Sequence, residues 1–227
     1  MSLWSHITEQ ISEVTGRSFD LKGKLPRGGG CINETLVLEG RGDRYFLKLN
    51  SPDRVEMFEA ERDGLQALAE CGAVRVPRPL VAGGHAEASF LVMEYVDMRG
   101  DDDPAVFGEQ LARMHHCQAD RFGWHRDNTI GSTPQHNEWS DDWIAFWREF
   151  RLGYQLNLAE RNGYGGSLVD AGQRLLESFP ALFADHHPEP SLLHGDLWGG
   201  NYAADERGQP LIFDPAVYYG DREADLA

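Results

Sequence analysis

The stretch that most constrains this chain lies near the end of the sequence. His194-Gly195-Asp196-Leu197-Trp198-Gly199-Gly200-Asn201 is followed by Ile212-Phe213-Asp214-Pro215. Asp196 and Asn201 share one glycine-rich loop, and Asp214 ends a short apolar run that a strand can hold rigidly. These side chains suit one chemistry. Asp196 would receive a hydroxyl and its proton, while Asn201 and Asp214 would hold Mg²⁺ against the phosphates of ATP. Gly195, Gly199 and Gly200 let the loop backbone approach substrate and phosphates closely.

The Asp196–Asn201 spacing matches the D-x-x-x-x-N part of a kinase catalytic loop, with two departures. Gly195 replaces the Arg of H-R-D, and Pro215-Ala216 replace the Phe-Gly of D-F-G. Both fit a constitutively assembled small-molecule kinase better than a regulated signalling enzyme. Upstream, Gly28-Gly29-Gly30-Cys31-Ile32-Asn33 precedes an apolar run, so Gly29, Gly30, Cys31 and Asn33 are candidates for a loop laid over phosphates. Triple glycine also makes an ordinary flexible hairpin. Tyr45-Phe46-Leu47-Lys48-Leu49 is an apolar strand with one lysine, the form of the lysine that neutralises α- and β-phosphates. A helical pattern from Glu56 to Leu68 places Glu61 beside Phe58, Leu65 and Leu68. Glu61 is therefore the expected partner of Lys48, with Glu59 as the fallback. Leu91 to Val96 reads as a buried strand whose backbone at Glu94 and Val96 would meet adenine. The Asp-rich stretch from Asp97 to Asp103 reads as a linker.

With these parts in order, the chain resembles the fructosamine kinase (ketosamine-3-kinase) family, itself similar to aminoglycoside phosphotransferases and choline kinases. The specific residues are His194-Gly195-Asp196-Leu197-Trp198, the stretch Asp127-Asn128-Thr129-Ile130-Gly131-Ser132-Thr133-Pro134-Gln135, and the run from Tyr218 to Asp225. The resemblance implies ATP- and Mg²⁺-dependent phosphorylation of the 3-hydroxyl of a ketosamine, such as fructosyl- or ribulosyl-lysine, which promotes deglycation of protein amines. It makes Asp196 the catalytic base, Asn201 and Asp214 the metal ligands, and Lys48 and Glu61 the phosphate-orienting pair. Trp198 would stack on the sugar or the lysine arm, or else pack the catalytic loop. Asp127 and Asn128 would line the substrate side, or else cap and turn a loop. The acceptor would be a small ketosamine or a glycated protein lysine. A kinase of the aminoglycoside or choline type, or a nucleotide-binding regulator without turnover, are the alternatives.

The expected architecture is an α+β, bilobal protein-kinase-like fold. Residues 1–96 would form a small antiparallel-sheet lobe with an N-terminal and a crossing helix. Residues 97–227 would form a mainly helical lobe, and the resemblance implies further C-terminal helices beyond Ala227. Helices are expected over 108–116, 139–161 and 168–183, with short strands near Leu192, Tyr202 and Ile212. The net charge of −16 opposes nucleic-acid binding, which needs a basic surface. No apolar run approaches the ~20 residues of a membrane span. Cys31, Cys71 and Cys117, an odd number without C-x-x-C, argue against a disulfide scaffold and for a reducing cytoplasm. Cys31, inside the glycine-rich loop, is either a redox-sensitive thiol or a small buried hydrophobe. A monomer or homodimer is expected.

Overall fold

A computed structural model describes residues 1–28, 32–101 and 103–227. Gly29, Gly30 and Cys31 of the expected phosphate loop lie outside the described residues. The chain packs as two compact units, residues 1–114 with 196–216 and residues 115–195 with 217–227. A lobe boundary drawn from element type at 96/97 does not coincide with these units, because the segment 196–216 packs with the first one.

The first unit is built on a five-stranded antiparallel sheet in the order β1-β2-β3-β5-β4 (β1 Gly23–Pro26, β2 Glu34–Glu39, β3 Arg44–Asn50, β4 Pro79–Gly84, β5 Ser89–Glu94). Helix α1 (Leu3–Thr15) starts at Ser2, whose hydroxyl accepts the Ser5 N–H, and ends at Gly16 in the left-handed region (φ 67°). Leu3, Ile7 and Ile11 recur at helical spacing and are buried with Leu36, Leu38, Leu47, Leu49, Phe90 and Val92 of the sheet. Each such side chain contributes roughly 1.5–3 kcal/mol.

That packing fixes the other face of the sheet. Side chains alternate along a strand, so with Leu47 and Leu49 turned toward α1, Lys48 emerges opposite. Helix α2 (Val55–Cys71) packs against β4 and β5 and buries Phe58, Ala60, Gly64, Leu65 and Leu68. Glu61 lies one turn from Phe58 and Leu65. Helix α3 (Pro104–His115) follows, and β9 (Tyr202–Ala204) and β10 (Pro210–Ile212) form an antiparallel hairpin in the same unit.

In the second unit, β6 (Asn128–Ile130) and β7 (Thr133–Gln135) pair as one hairpin, and β8 (Ser191–Leu193) pairs with β11 (Tyr218–Gly220). The segment expected as one long helix is α4 (Trp143–Trp147), a π-helical turn (Arg148–Gly153) and α5 (Tyr154–Arg161) in unbroken succession. Helix α6 (Ser167–Ser178) passes into a 3₁₀ turn at Phe179–Phe183, and Trp147 stacks on Phe179 at 4.2 Å between ring centroids.

Among the described residues, no helix is long and apolar enough to cross a membrane.

Candidate active site

The site in the first unit is organised around one buried cation. Lys48 Nζ donates to Glu61 Oε1 at 2.5 Å and to Asp214 Oδ1 at 2.6 Å. Lys48 is 4% exposed. Burial alone would drive its proton off, but the two carboxylates outweigh it and hold the ammonium above its ordinary range. Glu61 is pushed above its ordinary value by burial and, secondarily, by the like charge of Asp214; Lys48 opposes that rise. Asp214 keeps 45% of its side chain exposed, so it presents a carboxylate to the cavity. It is also the one non-glycine residue with positive φ (57°) among the described residues. A non-glycine residue in this region costs of order 1–3 kcal/mol and is characteristic of functional positions.

The loop before β9 brings up the remaining groups. Asn201 Nδ2 donates to the Asp196 carbonyl at 2.8 Å, to Asp196 Oδ2 at 3.1 Å and to the Asp214 carbonyl at 3.5 Å. One side chain thus joins the loop aspartate to the strand-end aspartate. Trp198 is 64% exposed. A Cβ at Gly200 would lie 2.3 Å from its indole, so the ring lies directly over the Gly200 backbone and a side chain there would displace it. The Asn201 N–H closes this turn on the Trp198 carbonyl at 2.9 Å.

Lys48 and Asp214 line a cavity of about 580 Å³, with Phe46, Met93 and Phe213 among its apolar residues and Glu94, Tyr95 and Val96 also in its lining. Glu94 uses its own N–H on the Arg78 carbonyl (2.8 Å). Asn33 and Gly28 also line the cavity. Asn33 Oδ1 accepts from Asn50 Nδ2 at 2.7 Å, which ties the turn before β2 to the end of β3.

The expected divalent cation fits this donor set. Among the described residues no group of three or more His, Cys, Asp or Glu could cage a metal. Mg²⁺, however, is characteristically held by one or two protein oxygens together with substrate phosphates. Asn201 turns its NH₂ toward Asp196, leaving its carbonyl oxygen as the atom to offer. Asp214 adds a carboxylate beside it.

Asp127 and Asn128 lie in the second unit. Asn128 is buried, donates to the Val217 carbonyl at 2.8 Å and accepts from Gln135 Nε2 at 2.8 Å, closing the β6–β7 hairpin. Asp127 accepts the Asn137 N–H at 2.9 Å and pairs with His136 Nδ1 at 2.7 Å. These bonds hold the β6–β7 hairpin and the segment that follows it. Nearby, Arg151 of the π turn donates to the His136 carbonyl at 2.6 Å and to Asn137 Oδ1 at 2.7 Å.

Asp225 is the residue whose role the sequence did not disclose. Its buried carboxylate accepts the backbone N–H of His194 at 2.8 Å and of Gly195 at 2.9 Å, and pairs with His115 Nε2 at 3.0 Å. It thus pins the backbone just ahead of Asp196. The acid-rich run ending at Asp225 was the available signal, but nothing in it named a partner thirty residues upstream.

Comparison with known proteins agrees with this geometry. The family model for fructosamine kinase matches residues 3–227. A "Probable ketoamine kinase" of Synechocystis sp. is 44% identical over 99% of this chain and 76% of its own length. A chloroplastic protein-ribulosamine 3-kinase of Arabidopsis thaliana is 46% identical over 88% of this chain and 62% of its own length. Among solved structures, a "Putative fructosamine-3-kinase" from Haemophilus somnus 129PT superposes with a TM-score of 0.88 at 30% identity, covering 98% of this chain and 75% of that one. Aminoglycoside phosphotransferase APH(4)-Ia shares the fold at a TM-score of 0.62 and 15% identity, over 99% of this chain and 75% of its own. The chain therefore belongs to the fructosamine kinase family.

Proposed function

We propose that this protein is an ATP-dependent kinase that phosphorylates the 3-hydroxyl of ketosamines such as ribulosyl- or fructosyl-lysine, and so promotes deglycation. The observation that carries the reading is the ion cluster in which Lys48 Nζ bridges Glu61 and Asp214 while Asn201 joins Asp196 to Asp214. Such a cluster preorganises one cation and four oxygen-bearing side chains beside a cavity of nucleotide size. The names of the ketoamine and ribulosamine relatives support the acceptor class.

In this reading Phe46, Met93 and Phe213 enclose the base, and the backbone at Glu94 and Val96 meets its polar edge. Lys48, held by Glu61, orients the α- and β-phosphates. Mg²⁺, when bound, would neutralise phosphate charge, and Asn201 and Asp214 are the residues that would hold it. Asp196 receives the proton of the ketosamine hydroxyl as that oxygen attacks the γ-phosphorus, the bond from phosphorus to the β,γ-bridging oxygen breaks and ADP leaves, and Asn201 fixes the carboxylate for this step. Trp198, exposed and seated on Gly200, offers an apolar face to the sugar or to the lysine arm.

The test is ADP release with Mg-ATP and ribulosyl-lysine or fructosyl-lysine, wild type beside Asp196→Asn. Turnover in the wild type alone is expected. Preferred turnover of an aminoglycoside or choline would replace the acceptor assignment, and ADP release by Asp196→Asn at the wild-type rate would remove Asp196 as the base.

A further inference from the structure

Between the adenine edge and the catalytic hairpin of the first unit lies a charged cluster that the mechanism above does not use. Arg75 Nη2 donates to Glu94 Oε1 at 2.8 Å, and Arg75 Nη1 pairs with Asp205 Oδ2. Asp205 is 2% exposed, and its other oxygen accepts the N–H groups of Arg207 (2.8 Å) and Gln209 (2.9 Å), in the turn joining β9 to β10. Its carboxyl is held below the ordinary range: burial opposes this, but the two N–H groups and Arg75 outweigh it. The backbone makes the same link, because the Arg75 carbonyl accepts the Ile212 N–H at 3.0 Å, two residues before Asp214. The segment after Val96 is docked as well. Gly100 bridges Ala204, and a Cβ at Gly100 would lie 1.9 Å from the Asp205 carbonyl oxygen.

One guanidinium thus touches the strand end that borders the base pocket and the turn of the hairpin whose two ends carry Asn201 and Asp214. Neither Arg75 nor Asp205 lines the cavity. A planar guanidinium presents its N–H donors in fixed directions and so sets the angle between two carboxylates, whereas an ammonium acts as a point charge.

We propose that Arg75 is a positioning residue that couples base recognition at Glu94 to placement of the metal-holding pair Asn201 and Asp214, with Asp205 as its anchor. This rests on the kinase reading of the site but not on the identity of the acceptor. The experiment is calorimetric binding of Mg-ATP without acceptor, together with kcat and KM for ATP, in Arg75→Met, Arg75→Lys and Asp205→Asn, with Tm recorded for each.

Arg75→Met is expected to weaken Mg-ATP binding about tenfold and to lower kcat several-fold, the scale of breaking a partly buried bridging ion pair. Arg75→Lys should restore part of the affinity, and Asp205→Asn should reproduce the loss without altering any cavity-lining residue. Unchanged Mg-ATP affinity in both Arg75→Met and Asp205→Asn, with only Tm lowered, would make the cluster purely structural and overturn the proposal. A wild type that shows this arginine-dependent Mg-ATP binding but leaves ketosamines unphosphorylated would uphold Arg75 and refute the acceptor class instead.

Discussion

At the scale of single residues, the proposed division of labour separates chemistry from binding. Asp196→Asn keeps the shape of the loop and the contact with Asn201 but removes the proton acceptor. Turnover should fall by roughly 10²–10⁴-fold with Mg-ATP affinity within about twofold of wild type, checked by steady-state kinetics beside calorimetry. Lys48→Met tests the buried cluster through pH. In the folded state Glu61 sits above its ordinary 4.5 because it is buried and faces Asp214, and the lysine is what limits that rise. Removing it raises the folded value further, so folding stability is full below the unfolded value and is lost as pH rises through the folded one. The Tm deficit of Lys48→Met should therefore be larger at pH 8 than at pH 5. An equal deficit at both would place the proton of Glu61 elsewhere.

At the scale of elements, two alternation patterns explain the Lys48–Glu61 pair. A strand that turns Leu47 and Leu49 toward α1 must present Lys48 on its other face, and a helix that buries Phe58 and Leu65 must carry Glu61 on the same side. Both patterns are local and were readable in the sequence. Asp225 and Arg75 were not, because their partners are distant along the chain: Arg75 and Asp205 are 130 positions apart. A periodicity cannot encode such a meeting. Asp225→Asn should loosen the His194–Gly195 backbone and lower stability by about 1–3 kcal/mol, with a larger proportional loss in kcat than in Mg-ATP affinity. Urea denaturation and kinetics on the same preparation check this. Gly200→Ala would thrust a methyl into the Trp198 ring. Acrylamide quenching of the exposed part of the fluorescence of the six tryptophans should change, and kcat/KM for the ketosamine should fall more than kcat/KM for ATP; equal falls would assign Trp198 to packing the loop.

At the scale of the whole molecule, the net charge of −16 means that, in the proposed reading, ATP phosphates meet a repulsive average field and are to be collected locally, by Lys48 and bound Mg²⁺ in a cavity that Arg27, Arg44 and Arg99 also line. Ligand linkage follows directly. At one hundred times its Kd, Mg-ATP should stabilise the protein by about 2.7 kcal/mol, read as a rise in Tm. EDTA should remove most of that rise and all turnover, because Asn201 and Asp214 alone do not make a cage. A rise in Tm with ATP that EDTA leaves untouched would deny the metal its place.

What the sequence determined by itself was the order of the chemical parts, since Asp196, Asn201 and Asp214 fall within twenty residues and Lys48 and Glu61 within fourteen. Short-range spacing and side-chain alternation were enough to put each on the right element. What the tertiary structure alone decided was which polar groups are used up in holding that machinery in place. Asn128 closes a hairpin, Asp225 grips the backbone ahead of Asp196, and Arg75 ties Glu94 to the turn between β9 and β10. These assignments depend on directed hydrogen bonds between segments that the chain's own periodicity never brings into register.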